Sequence, residues 1–240
     1  MAHYSDVHLV AAVLHTVYGA GVSGIETRTL AQQIADRLRE AILSGDLAAG
    51  QRLSQEALAE QFEVSRVPVR DALRQLQGEG LIEIHARFGA TVAELSALDL
   101  EELYDMRIAL EPLIARLATP RMRPADLEEM GRQLALMEAS SEPSPAWFEA
   151  HAAFHRALNE RAGRPRMSAL VAQLRDQTER YLRRYQLISG TTSELGREHD
   201  LIHEAVLDGD GERVEAVVAE HLELVRDRVL EHLGGALERP

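Results

Sequence analysis

From Asp99 to Leu233 apolar residues recur at three- and four-residue spacing, and the interruptions are short turns bearing Pro and Gly. A pattern of that length commits more than half of the chain to helices packed on helices. Helices are expected at about Asp99–Leu117, Pro124–Ser140, Pro145–Ala162, Pro165–Ser189, Thr192–Asp208 and Gly211–Leu233. The breaks fall at Thr119-Pro120, Ser141-Glu142-Pro143, Gly163-Arg164-Pro165, Gly190 and Gly209-Asp210-Gly211, all of them turn chemistry. A six-helix bundle is the predicted result.

The preceding stretch reads differently. Residues 1–28 form a poorly patterned leader in which Val7–Val17 is expected as a short helix, broken by the Gly19–Gly24 stretch. From Thr29, Leu30, Ile34, Leu38 and Ile42 mark a first helix, and Gly45 sits where a C-terminal cap would end it. Ser54 can cap a second, short helix that turns Leu58 and Ala59 inward. Phe62-Glu63-Val64 then turn the chain into a third helix, opened by Ser65 and striped by Val69, Leu73 and Leu76. Gly78 and Gly80 stop it, and two β-prone pieces, Leu81–Ile84 and Ala90–Ala93, flank Arg87-Phe88-Gly89 as a hairpin. The β-prone reading ends near Leu95-Ser96. The expected fold is therefore mainly α: a leader (1–28), a winged helix-turn-helix unit (29–95) and an all-helical bundle domain (96–240).

Composition narrows the chemistry. At 240 residues and 45% hydrophobic, the chain can fill two cores of ordinary size. Its 39 acidic against 26 basic residues, net −13, exclude coating of nucleic acid or anionic membrane by the whole surface, so any DNA contact must be local. Every basic residue is arginine, which excludes lysine Schiff-base chemistry. With no cysteine there is no disulfide, thiolate metal site or cysteine nucleophile, leaving histidine and carboxylate as metal ligands. No apolar run approaches the roughly 18 residues of a membrane span, and the N-terminus lacks a signal peptide's basic start and cleavage site. A cytoplasmic protein is expected.

Two patterns carry function. The stretch Leu53–Arg74 has the spacing of a helix-turn-helix, and Arg66, Arg70 and Arg74 lie at i, i+4 and i+8 on one face. An arginine fork bonds a guanine edge bidentately or holds a phosphate; a solvated arginine face on an ordinary helix is the alternative, since Thr29–Glu94 holds seven arginines against ten acids. The second pattern is histidine, ten in the chain. His151 and His155 share a helix face, His199 and His203 repeat the spacing on another helix, and His221 sits on the last. Imidazoles on facing helices build a site for Zn, Ni or a similar divalent transition metal; chance pairing in a histidine-rich chain is the alternative.

The segment 30–95 resembles the winged helix-turn-helix of the GntR family of bacterial transcription regulators. The resemblance lies in Ala41-Ile42-Leu43-Ser44-Gly45-Asp46-Leu47, Gly50-Gln51-Arg52-Leu53-Ser54, Val64-Ser65-Arg66-Val67-Pro68-Val69-Arg70-Asp71-Ala72-Leu73 and Glu79-Gly80-Leu81-Ile82. Residues of about 98–235 resemble the helical FCD half of the FadR-type subfamily. The resemblance implies that Ser65, Arg66 and Arg70 touch DNA from the recognition helix and that Arg87 and Gly89 enter the minor groove from the wing. It places Arg52 for a phosphate, with a surface cap of the preceding turn as the other reading.

Metal-binding FCD domains carry an Asp-x-x-x-His pair on one helix and single histidines on two later ones. That pattern maps to His151 and His155, then His199, then His221, and three of the four ligands match. His151 is the departure, standing where the family places aspartate. A neutral fourth imidazole leaves the metal more positive and more attractive to anions. His203 is open between a supporting group, a replacement ligand and a pocket-lining or exposed side chain. Arg107 either meets a ligand carboxylate in the pocket or pairs with Glu111 at i+4 on the surface.

The expected function is a DNA-binding regulator, a repressor that binds an inverted repeat as a homodimer and answers to a small organic acid at the metal site. The competing class is a helical metalloenzyme acting on a small organic acid. The helical zincin arrangement needs glutamate beside its first histidine, where this chain has Ala152. A structural adaptor, the third class, leaves the winged helix unexplained.

Overall fold

A computed structural model describes residues 29–85, 89–140, 143–189 and 193–237. The leader with its expected helix at Val7–Val17 lies outside these residues, as does Arg87 of the expected wing tip. The chain divides into two compact units between Leu95 and Ser96.

Among the described residues the first unit holds three helices, α1 (Leu30–Leu43), α2 (Gln55–Gln61) and α3 (Arg66–Gly78), with strands β1 (Arg52–Leu53), β2 (Ile82–His85) and β3 (Gly89–Val92). Thr29 opens α1 with a capping box: its hydroxyl accepts from the Gln32 amide while the Gln32 side chain accepts from the Thr29 amide. Gly45, at φ +85°, follows the helix end in the left-handed region that a residue with Cβ adopts at a cost. Ser54 accepts from the Ala57 amide to cap α2. The three stripes close on one core in which Ile34, Leu38, Leu58, Val69, Leu73 and Leu76 are buried, joined by Leu81 and Ile82 from the wing. Arg39 ties α1 to the end of α3 by a two-pronged bond to Glu79, at 2.8 and 2.7 Å.

The sheet is antiparallel in the order β1-β3-β2, with Arg52 opposite Thr91 and Ile84 opposite Ala90. The sequence pattern leads Arg52-Leu53 straight into the second helix. In the structure these two residues instead pair with β3, a strand too short to have a period of its own.

The second unit is the six-helix bundle: α4 (Ala97–Ala118), α5 (Pro124–Glu138), α6 (Pro145–Asn159), α7 (Pro165–Ser189), α8 (Ser193–Leu207) and α9 (Gly211–Leu237). Short 3-10 turns follow α4 at Thr119–Arg121 and α6 at Glu160–Ala162, so the helix expected to reach Ala162 tightens three residues earlier. Ser96 and Ser144 cap α4 and α6, and Pro145 sits at the first position of α6, where its missing N–H costs nothing. Helix α4 packs along α9 and α7, and α5 along α6 and α8. Their shared interior is filled by Tyr104, Ile114, Met130, Trp147, Phe154, Tyr181, Ile202 and Leu222.

Between α2 and α3, Glu63 holds φ +54°, the one described residue other than glycine with positive φ. A left-handed residue with Cβ is strained by roughly 1–2 kcal/mol. Glycine relieves that strain but costs about 0.5–1 kcal/mol of chain entropy. Glu63→Gly is therefore expected to leave stability unchanged or raise it by up to about 1.5 kcal/mol in urea denaturation. A clear loss of stability would mean the turn depends on the glutamate side chain.

Candidate functional site

Helix α3 presents Arg66 and Arg70 to solvent, with side chains 67% and 49% exposed. Ser65 stands at its N-cap, exposed, and its hydroxyl makes no capping bond. Arg66 pairs across to Glu56 of α2 at 2.6 Å, and Arg70 lies 3.6 Å from Asp71. Exposed pairs of this kind contribute little to stability, so a phosphate or a base edge can replace the carboxylate at small cost. Val67 is 55% exposed and shares the face of Arg70 and Arg74 at i+3 and i+7, an apolar group that sequence reading passed over. Arg52 is exposed on β1, and Gly89 opens β3 at φ +85°.

The histidines meet in the second unit. His151 and His155 come from α6, His199 from α8, and one ligand nitrogen of each lies within 4.8 Å of the others. The Nε2 atoms of His155 and His199 are 2.9 Å apart, close enough that a single proton sits between them. His199 is fully buried, His155 nearly so, and His151 half-buried. Trp147, one turn before His151, stacks its indole on that imidazole with centroids 5.0 Å apart and planes 13° from parallel.

His221 of α9 stands beside this trio and outside it. Its ring centroid is 4.8 Å from that of His199 and 5.7 Å from that of His155. Its Nδ1–H donates to Glu198 at 2.8 Å, leaving Nε2 as the remaining nitrogen. Burial opposes ionisation of Glu198, but bonds from His221 and Arg228 hold its carboxyl below the usual range. A carboxylate on the far nitrogen of an imidazole is the common support of a metal-ligating histidine. His203 lies elsewhere: its Nε2 is buried without a partner, with the ring against the backbone of Gly131 on α5.

Burial, followed by neighbouring His199 and Arg175, pushes His151 well below the ordinary imidazole range, and burial with Arg175 does the same to His155. Both are neutral near pH 7, with lone pairs available. The donor set fits a borderline divalent metal: neutral nitrogen ligands, no thiolate and a desolvated setting.

A cavity of about 280 Å³ opens beside His151, lined also by Arg107, Arg175, Thr178 and Leu182. Arg107 is 5% exposed, so its two sequence readings merge: it lines the cavity and pairs with Glu111, inside the protein. Its Nε donates to Glu111 at 2.5 Å and its NH1 to Thr178 at 2.9 Å, with the guanidinium over the Tyr104 ring. Arg175 of α7 donates from NH1 to the other Glu111 oxygen at 2.8 Å. Burial opposes both cations. For Arg107 the attraction of Glu111 and Tyr104 prevails and the pKa is raised, whereas for Arg175 burial prevails and the pKa is lowered. Sequence reading missed Arg175, Thr178 and Glu198, whose helical spacing looks like that of any solvated face until the neighbouring helices are in place.

A winged helix joined to a helical bundle with a histidine-lined interior defines a class of DNA-binding regulator with a separate sensing domain. The chain matches the bacterial regulatory proteins of the gntR family over residues 30–92 and the FCD domain over residues 102–224. It is 34% identical over 207 residues to the HTH-type transcriptional regulator LutR of Bacillus subtilis, covering 78% of this chain and 94% of that one. It is 36% identical over 109 residues to the gluconate operon transcriptional repressor of the same species, 45% of this chain and 44% of that one. The solved structure of E. coli McbR/YncC shares the fold with a TM-score of 0.74 at 23% identity, covering 86% of this chain and all of that one. The protein belongs to the FCD-containing GntR family of transcription regulators. No helix among the described residues is long and apolar enough to cross a membrane.

The imidazoles also set a pH dependence. A histidine kept neutral in the fold, whose unfolded counterpart protonates near pH 6.5, favours unfolding as pH falls. The metal-stripped protein is therefore expected to lose thermal stability as pH drops below about 6.5. A Tm equal at pH 7 and pH 5 would mean that His151 and His155 protonate freely in the fold.

Proposed function

We propose that this regulator is a repressor that binds an inverted repeat as a homodimer and is controlled by a small carboxylate held at a metal site in its helical domain. The observation that carries the reading is a cluster of three neutral imidazoles from two helices, two of them buried and the third lining an arginine-lined cavity. His151, His155 and His199 would hold a divalent metal such as Zn or Ni, with His221 as the fourth ligand braced by Glu198. Such a metal, when bound, supplies positive charge that attracts a carboxylate. The relative described as a gluconate operon transcriptional repressor supports the sign of regulation. The reading is of a sensor and not an enzyme, since Ala152 stands where the helical zincin arrangement needs its glutamate, and of a cytoplasmic protein.

On the DNA side Ser65, Arg66 and Arg70 are assigned to the major groove, Arg87 and Gly89 to the minor groove, and Arg52 to a phosphate. Val67 suits a thymine methyl. Helix α7 supports a link between cavity and connector. It carries Arg175 and Thr178 on the cavity and, further along, Tyr181, whose hydroxyl accepts from the Ser96 amide at 3.3 Å and donates to Asp99 at 2.5 Å. Ser96 is the first residue after the boundary at Leu95. A ligand that displaces α7 therefore pulls on the start of α4.

Gel shift on the DNA upstream of the protein's own gene tests this reading. Arg66→Ala or Arg70→Ala is expected to weaken binding by about 1–3 kcal/mol if the contact is a bidentate base pair. Glu56→Gln, which frees Arg66 and removes an acid facing DNA, is expected to tighten binding. Wild-type affinity in the double arginine variant would overturn the assignment of α3 as the recognition helix.

A further inference from the structure

Resting on the reading of the cavity as a carboxylate site, we propose that Arg175, and not Arg107, is the residue that grips the ligand's carboxylate, with Glu111 and Arg107 as positioning residues behind it. Arg107 has its Nε on Glu111, its NH1 on Thr178 and its plane over Tyr104. The Thr178 hydroxyl is committed as well, donating to the Arg175 carbonyl at 3.0 Å. Arg175 commits one NH1 hydrogen to Glu111, out of five guanidinium donors, while its side chain is 13% exposed and borders the cavity.

The charge count points the same way. Two buried guanidiniums share one buried carboxylate, so the cavity floor carries one uncompensated positive charge beside neutral imidazoles. Of the acids on the same wall, Glu179 is held by Arg183 at 2.7 Å, and Asp176 and Glu160 lie exposed at the rim. A buried cation short of a partner is costly, and a small anion removes that cost. Glu111 fixes the fork from behind, which suits the planar guanidinium to bidentate recognition of a carboxylate.

Acetate is the minimal probe and acetamide its neutral isostere, titrated at constant ionic strength into untagged full-length protein. Trp147, the single tryptophan, stacks on cavity-lining His151 and supplies the fluorescence signal. Wild type is expected to saturate with acetate and not with acetamide. Arg175→Gln is expected to weaken acetate binding at least tenfold without altering zinc content, and Arg175→Lys, which keeps the charge and loses the fork, to fall between. Equal responses to acetate and acetamide in wild type, or an unchanged acetate affinity in a folded Arg175→Gln protein, would overturn the proposal. If Arg175→Gln does not fold, the lysine variant decides, and wild-type acetate affinity there would count against a fork-shaped grip. Titrations with and without zinc separate the two readings. Arg175-dependent acetate binding by a protein that takes up no zinc would refute the metal centre and leave the grip standing. Zinc uptake with Arg175-independent acetate binding would do the reverse.

Discussion

The helical unit is organised around a desolvation problem: the imidazoles of His155 and His199 sit where water does not reach, with half-buried His151 against them. Leaving their nitrogens unpaired in such a place would cost several kcal/mol, and charging them would cost more. The 2.9 Å approach of His155 and His199 answers part of that cost by giving one nitrogen a partner in the other. It requires α6 and α8 to meet at these two residues, with α9 bringing His221 alongside, where it bonds Glu198 of α8. Trp147 and Phe154 close the apolar shell around the rings.

The arginines of the cavity depend on the same economy. Arg175 helps to keep His151 and His155 deprotonated, because a nearby buried cation disfavours a second positive charge. The imidazoles remain neutral donors, and the arginine remains a cation in want of an anion. In the proposed function a divalent metal and a carboxylate together would satisfy both demands, which neither group does alone. The surface of α3 shows the opposite regime, in which Arg66 rests on Glu56 in full solvent and exchanges that partner at little cost.

Much of this was legible before any coordinates. The helix boundaries of the bundle follow from Pro and Gly punctuation, and the recognition helix from Ser65 and the arginine spacing that follows it. Histidine pairs four residues apart already put His151 beside His155. Strand β1 was not legible, because two residues have no period and their partner lies some forty positions away. Arg175 and Glu198 were hidden for a related reason: each acquires its role from side chains on other helices, Glu111 for one and His221 for the other. His203 repeats the four-residue spacing after His199, yet in three dimensions it faces Gly131, since neighbours on one helix face can diverge toward different partners.

The proposed function requires the imidazole trio to be a metal centre, and anomalous diffraction from zinc-soaked crystals reads that directly. One peak is expected, about 2.0–2.1 Å from a nitrogen of each of His151, His155 and His199. Crystals in which zinc scatters elsewhere, while His155 and His199 remain in nitrogen-to-nitrogen contact, would contradict it.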